Sequence, residues 1–126
     1  MDVTPLIRKD QQVIQSYAGG RFRVSGQVYE VAVIVTPGET LRWDKAAQSV
    51  KELTEDDFAQ MIERAEEIDV VLLGCGASMT FLDPKLKKAL SEKGLSVDIM
   101  DTGAACRTYN VLMAEGRRVV AALFPV

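Results

Sequence analysis

Histidine is missing from this sequence altogether. With it go the commonest general base and the commonest metal ligand. A Ser-His-Asp or Cys-His catalytic arrangement is therefore excluded, and a zinc site would have to rely on carboxylates and thiols. Cysteine is nearly as scarce: Cys75 and Cys106 are the only two, too few for a disulfide framework. A chain of 126 residues does not need one, since it can bury roughly two thirds of its unfolded surface as one domain, residues 1–126. No apolar run approaches the ~20 residues of a membrane span. No excess of positive charge exists either: 15 Lys and Arg stand against 18 Asp and Glu, for a net charge of -3. With no basic stripe, that argues against nucleic-acid binding. The opening MDVTPLIRKD has no signal-peptide apolar core and is not an acid-poor transit peptide, so a cytoplasmic location is expected. No cofactor and no metal are expected.

What is present is an alternation of apolar strands and helix signals. Residues 1–10 read as an extended lead-in. Val13 to Tyr17 and Arg21 to Val24 are strand candidates, and Ser25-Gly26 turns the chain into a strand over Gln27 to Val35. Its core, Val31 to Val35, is apolar on both alternating faces, as a strand covered on both sides must be. Thr36-Pro37-Gly38 stops it. Leu41 to Asp44 carries the single tryptophan, Trp43, as a core anchor. Thr54 and the three acids after it start a helix, on which Phe58, Met61, Ile62 and Ala65 form one apolar stripe. Glu63, Glu66 and Glu67 lie off that stripe as a solvated face.

Asp69 to Leu73 is a second fully apolar strand, running into Gly74-Cys75-Gly76-Ala77-Ser78. The glycines invite a dinucleotide-binding reading, but Met79 occupies the third glycine position, and no Walker lysine follows. Asp83-Pro84 opens the next helix, Leu86, Ala89 and Leu90 form its buried stripe, and Gly94 closes it. Leu95 to Met100 is a strand, Asp101 or Thr102 caps the third helix, Gly116 ends it, and Arg117 to Phe124 is the last strand. The first half is thus a β-meander. The second half is strand, helix, strand, helix, strand. The fold class is α/β with three helices and a mixed sheet.

The least ordinary text is DTGAACRTYN, Asp101 to Asn110. It sets a thiol, a cation, a phenol and an amide within about one and a half helical turns. Open α/β sheets bind ligands beyond the carboxyl ends of their strands, and two such ends fall at Gly74 to Ser78 and at Asp101 to Ala105. Free backbone N–H groups there, with Arg107, suit a carboxylate or phosphate. The candidate ligand-binding residues are Gly74, Gly76, Ser78, Asp101, Cys106, Arg107 and Asn110. No catalytic residue is assigned. Plainer readings stand beside these: Gly74 to Ser78 as a tight turn or a close backbone approach, Asp101 as a helix cap, Tyr109 as a core residue with a hydrogen-bonded hydroxyl, Cys106 as core. A redox pair of Cys75 and Cys106 is the third option, although no C-x-x-C spacing supports it.

The sequence resembles the Mth-like domain family. The likeness rests on Tyr17 with Gly20 and Phe22, on Tyr29, Pro37 and Trp43, and on Leu72-Leu73-Gly74 with Gly76. Above all it rests on MDTGAACRTYN followed by Glu115-Gly116-Arg117. The resemblance implies a three-layer α/β fold whose mixed central sheet has one antiparallel strand. It implies no established enzymatic activity. It also implies a link to assembly of respiratory complex I, because a mitochondrial member acts there with another assembly factor as partner. The expected function is a non-enzymatic protein-interaction module, an assembly factor for respiratory complex I in its specific form. The expected partners are respiratory complex subunits or another assembly factor, with no nucleic acid and no direct membrane insertion. The alternative is a small-ligand or anion-binding domain with its crevice at Gly74 to Ser78 and Asp101 to Arg107.

Overall fold

The computed structural model describes residues 11–44 and 49–126. The expected lead-in over residues 1–10 lies outside the described residues. Three short strands, β1 (Ile14–Ser16), β2 (Phe22–Val24) and β3 (Gln27–Tyr29), form an antiparallel sheet in the order β1-β2-β3. A five-stranded sheet is built from β4 (Val33–Val35), β5 (Thr40–Arg42), β6 (Val70–Gly74), β7 (Val97–Met100) and β8 (Val119–Leu123). Its order is β5-β4-β8-β6-β7. β6 is parallel to both β7 and β8, while β4 is antiparallel to both β8 and β5. All strands but β4 therefore run one way, which is the mixed sheet with one antiparallel strand.

The layers follow from the period of two along each strand. On β8, Val119, Ala121 and Leu123 enter one hydrophobic cluster, and Val120 and Ala122 enter the other. Ile34, Val71 and Leu73 join the second set, and Val33, Val35 and Leu72 the first. Helix α1 (Ala59–Glu63) and helix α2 (Pro84–Glu92) cover one face. Helix α3 (Thr102–Ala114) and the small sheet cover the other, with Phe22, Val24, Tyr109 and Met113 between them. Travel from β6 to β7 and then back past β6 to β8 reverses direction. Right-handed crossovers then put α2 and α3 on opposite faces.

Two elements differ from the reading of the sequence. The single strand expected over Gln27 to Val35 is two strands in different sheets, bent at Glu30–Ala32. The burial changes there too, from exposed at Gln27 and Val28 to buried throughout Val33–Val35. One half lies on an open outer sheet, and the other lies between two layers. The helix expected after Thr54 is a 3-10 turn over Glu55–Phe58, the short α1, and a 3-10 turn over Ala65–Glu67. The apolar stripe survives the breaks: Phe58 and Met61 are buried, and Ile62 and Ala65 pack beside them. Short helices take their stability from such packing rather than from their own hydrogen bonds. Trp43 is the anchor expected of it. It is buried, packs edge-on to Phe58 at 5.7 Å between ring centres, and donates its indole N–H to the Asp57 carbonyl at 2.8 Å.

Candidate functional site

The carboxyl ends of β6 and β7 are neighbours, and the helices that follow them go to opposite faces of the sheet. Doubly wound sheets open a crevice at such a point. Here it is bridged by one side chain. Thr102, the first residue of α3, is completely buried. Its hydroxyl donates to the Phe124 carbonyl at 2.8 Å and accepts the Gly76 N–H at 2.8 Å, while its own N–H donates to the Gly76 carbonyl at 2.9 Å. The ends of β6 and β8 and the start of α3 are thus tied at one point. Gly74 permits the approach: a Cβ there would lie 2.9 Å from Leu123 Cδ2 and 3.0 Å from both the Cα and the Oγ1 of Thr102. The close backbone approach read from the glycines is found at Gly74, while its neighbour Thr102 counted in the sequence only as a possible cap.

Of the sequence-predicted residues, Gly74 and Gly76 adjoin Thr102, Asp101 and Arg107 adjoin Gly103, and Cys106 and Asn110 turn to the core and to β1. Asp101 caps α3, its Oδ1 accepting the Ala104 N–H at 2.9 Å. This carboxylate suits the positive end of the helix. Arg107 is exposed, and its Nη1 donates to the Tyr17 hydroxyl at 2.7 Å. Gly103 makes that pairing possible, since a Cβ there would sit 3.1 Å from the Tyr17 ring and 3.2 Å from Arg107 Nη1. Asn110 lies farther along α3 and binds the backbone of Ile14 through both ends of its carboxamide. Tyr109 is buried and donates its hydroxyl to the Gln12 carbonyl at 2.8 Å, and burial raises its phenol above the ordinary range. Ser78 is exposed, and its carbonyl accepts the Cys75 thiol at 3.3 Å.

Cys106 is 1% exposed. Burial pushes its thiol up to about 12, opposed by Arg107 and reinforced by Asp101. A helix N-terminus favours a thiolate, and loss of hydration outweighs it here. Cys75 packs against the cluster beneath α1 and α2, whereas Cys106 belongs to the cluster beneath α3. Both are free thiols, and the sheet separates them, so the redox pair considered above is not formed.

The backbone donors expected to be free at this junction are largely engaged. Cys75 N–H goes to the Met100 carbonyl at 2.9 Å, and those of Gly76, Thr102 and Ala104 are accounted for above. No helix among the described residues is long and apolar enough to cross a membrane.

Comparison with known proteins places this arrangement in a wider set. A family described as protein of unknown function (DUF498/DUF598) matches residues 14–124. An uncharacterised protein of Rhodobacter capsulatus is 34% identical over 113 residues, covering 90% of this chain and 84% of that protein. The mouse protein named NADH dehydrogenase [ubiquinone] 1 alpha subcomplex assembly factor 3 is 30% identical over 112 residues. That match covers 89% of this chain and 60% of the mouse protein, so this chain spans little more than half its length. Among solved structures, a Bordetella pertussis protein titled as an Mth938-like domain superposes with a TM-score of 0.77 at 29% identity, covering 99% of this chain and 90% of that one.

Proposed function

This chain belongs to the DUF498/DUF598 family, and on that premise we propose that it is a single-domain, non-enzymatic assembly factor that works by protein contact. Its object is an NADH dehydrogenase of the respiratory complex I type, and its partners are subunits of that complex or another assembly factor. The observation that carries the reading is the similarity to the mouse assembly factor along 89% of this chain. The chemistry of α3 supports it. Several groups on α3 have partners within the fold: Asp101 caps the helix, Thr102 ties the ends of β6 and β8, Asn110 ties α3 to β1, and Cys106 and Tyr109 are core. The chain acts in the cytoplasm in this reading.

Deleting the gene and following NADH dehydrogenase on native gels tests it. The expected result is loss of the assembled complex, restored by the wild-type chain. Normal complex levels with no co-purifying partner would sink the proposal.

Arg107 favours one second reading. It is exposed and uses one donor on Tyr17, which leaves a guanidinium edge for a carboxylate or phosphate beside the Gly74 to Ser78 loop. Thermal-shift screening with small anions, repeated on Arg107→Ala, decides this. A hit that survives the substitution unchanged removes Arg107 from consideration.

A further inference from the structure

Phe81 is 81% exposed and Met79 is 49% exposed, both on the connection from β6 to α2. That connection is held in shape. The Cys75 thiol donates to the Ser78 carbonyl and accepts the Thr80 N–H, each at 3.3 Å. Leu82, one residue past Phe81, is buried in the core. Asp83 then caps α2, accepting the Lys85 N–H at 2.9 Å. Phe81 stands between a hydrogen-bonded residue and a buried one, so its ring is held out in water by the fold. Large exposed apolar side chains bordered by polar ones mark contact surfaces, and aromatic anchors held in place lose little freedom on binding.

The charge beside them is positive. Lys85, Lys87 and Lys88 are exposed on α2, and none forms an ion pair among the described residues. In a chain of net charge -3, this is a local excess of cations around two apolar side chains.

We propose that this surface docks an acidic segment of a partner protein, one that offers apolar cover to Phe81 and Met79 and carboxylates to Lys85, Lys87 and Lys88. The inference rests on the assembly reading and names the chemistry of its partner. A second copy of the chain fits poorly, because a two-fold contact would set lysines against lysines. A bilayer fits poorly as well. Two apolar side chains give little insertion, and the rest of an anionic chain is repelled by anionic lipid.

The test places p-benzoylphenylalanine at position 81 of the full chain, in a strain lacking the native gene, and identifies the photo-crosslinked segment by mass spectrometry. The expected product joins position 81 to a segment of another protein rich in Asp and Glu. Its yield should fall roughly tenfold when Lys85→Glu and Lys88→Glu are added, as loss of a binding anchor predicts. Crosslinks confined to lipid, or to a second copy, overturn the proposal, as does a yield indifferent to charge reversal. NADH dehydrogenase assembly is scored in parallel with Phe81→Ser and Lys85→Glu/Lys88→Glu chains whose melting temperatures match wild type. If these restore assembly as well as wild type, the docking surface is wrong and the assembly role stands. An acidic crosslinked segment in cells with no assembly defect supports the surface and overturns the assembly role.

Discussion

The carboxamide of Asn110 closes both backbone hydrogen bonds of Ile14: Oδ1 accepts its N–H at 3.0 Å, and Nδ2 donates to its carbonyl at 2.8 Å. One helix side chain thereby acts as the missing neighbour of strand β1, which has only β2 beside it in the small sheet. Asn110→Ala leaves a donor and an acceptor of a residue only 5% exposed without partners. The expected loss is about 2–4 kcal/mol in chemical denaturation, with faster amide exchange in β1 than in β8. A loss below about 0.5 kcal/mol, the usual range for surface substitutions, would show that water satisfies Ile14.

Thr102→Val keeps the shape and removes the hydroxyl that joins Gly76 to Phe124. A buried acceptor and a part-buried donor lose their hydrogen bonds at once, so destabilisation of about 2–3 kcal/mol is expected. Thr102→Ser retains the hydroxyl and should recover most of it. If the serine variant is no more stable than the valine variant, the methyl group rather than the hydroxyl matters here.

Gly74 and Gly103 both make room for neighbours, and the neighbours differ. At Gly74 an added methyl meets the backbone of Thr102 at 3.0 Å, which cannot move without shifting α3. At Gly103 it meets the ring of Tyr17 and the end of Arg107, both of which can swing away. Gly74→Ala should cost about 1–3 kcal/mol by overpacking, and Gly103→Ala should cost less while weakening the Tyr17–Arg107 bond. Equal melting temperatures for the two variants would contradict the distinction.

Cys106 makes stability fall at alkaline pH. Its thiol is raised from 9.0 to about 12 in the folded chain, so the folded state holds a proton that the unfolded state releases. Its contribution is complete below pH 9 and is lost as pH climbs toward about 12, at a slope of up to ~1.4 kcal/mol per pH unit. Tyr109, shifted in the same direction by burial, adds to the loss. Cys106→Ala should flatten the decline in denaturation midpoint above pH 9. In the native protein at pH 8, a thiol reagent should modify the half-buried Cys75 and leave Cys106 unreacted. Rapid reaction of both thiols would mean that the α3 face opens.

Much of the local structure could be read from residue order. Asp83 before Pro84, and Gly94 after the last turn, bounded α2 because caps and stops act through neighbouring residues. Asp101 declared itself a cap for the same reason, and Tyr109 a core residue because its spacing matched the α3 stripe. The bend at Glu30–Ala32 was hidden, because Gln27 to Val35 holds no glycine or proline to mark a break, and nothing local says that its halves join different sheets. The broken helix after Thr54 was hidden because the apolar stripe is the same with or without the breaks. The partners of Asn110 and Arg107 lie 96 and 90 residues away, and no spacing rule reaches that far.

Residue chemistry by itself determined the class of fold, most of the strand and helix sites, and the exclusion of histidine chemistry. Each depends on periodicity, capping or the bare presence of a side chain. Only the tertiary structure decided the order β5-β4-β8-β6-β7, the separation of the two cysteines by the sheet, and the fate of DTGAACRTYN. A polar side chain at a helix start has the same sequence signature whether it faces a ligand or a neighbouring strand. Here Thr102, Tyr109 and Asn110 face strands and the segment leading into them, because burying those strands left backbone groups that had to be paired.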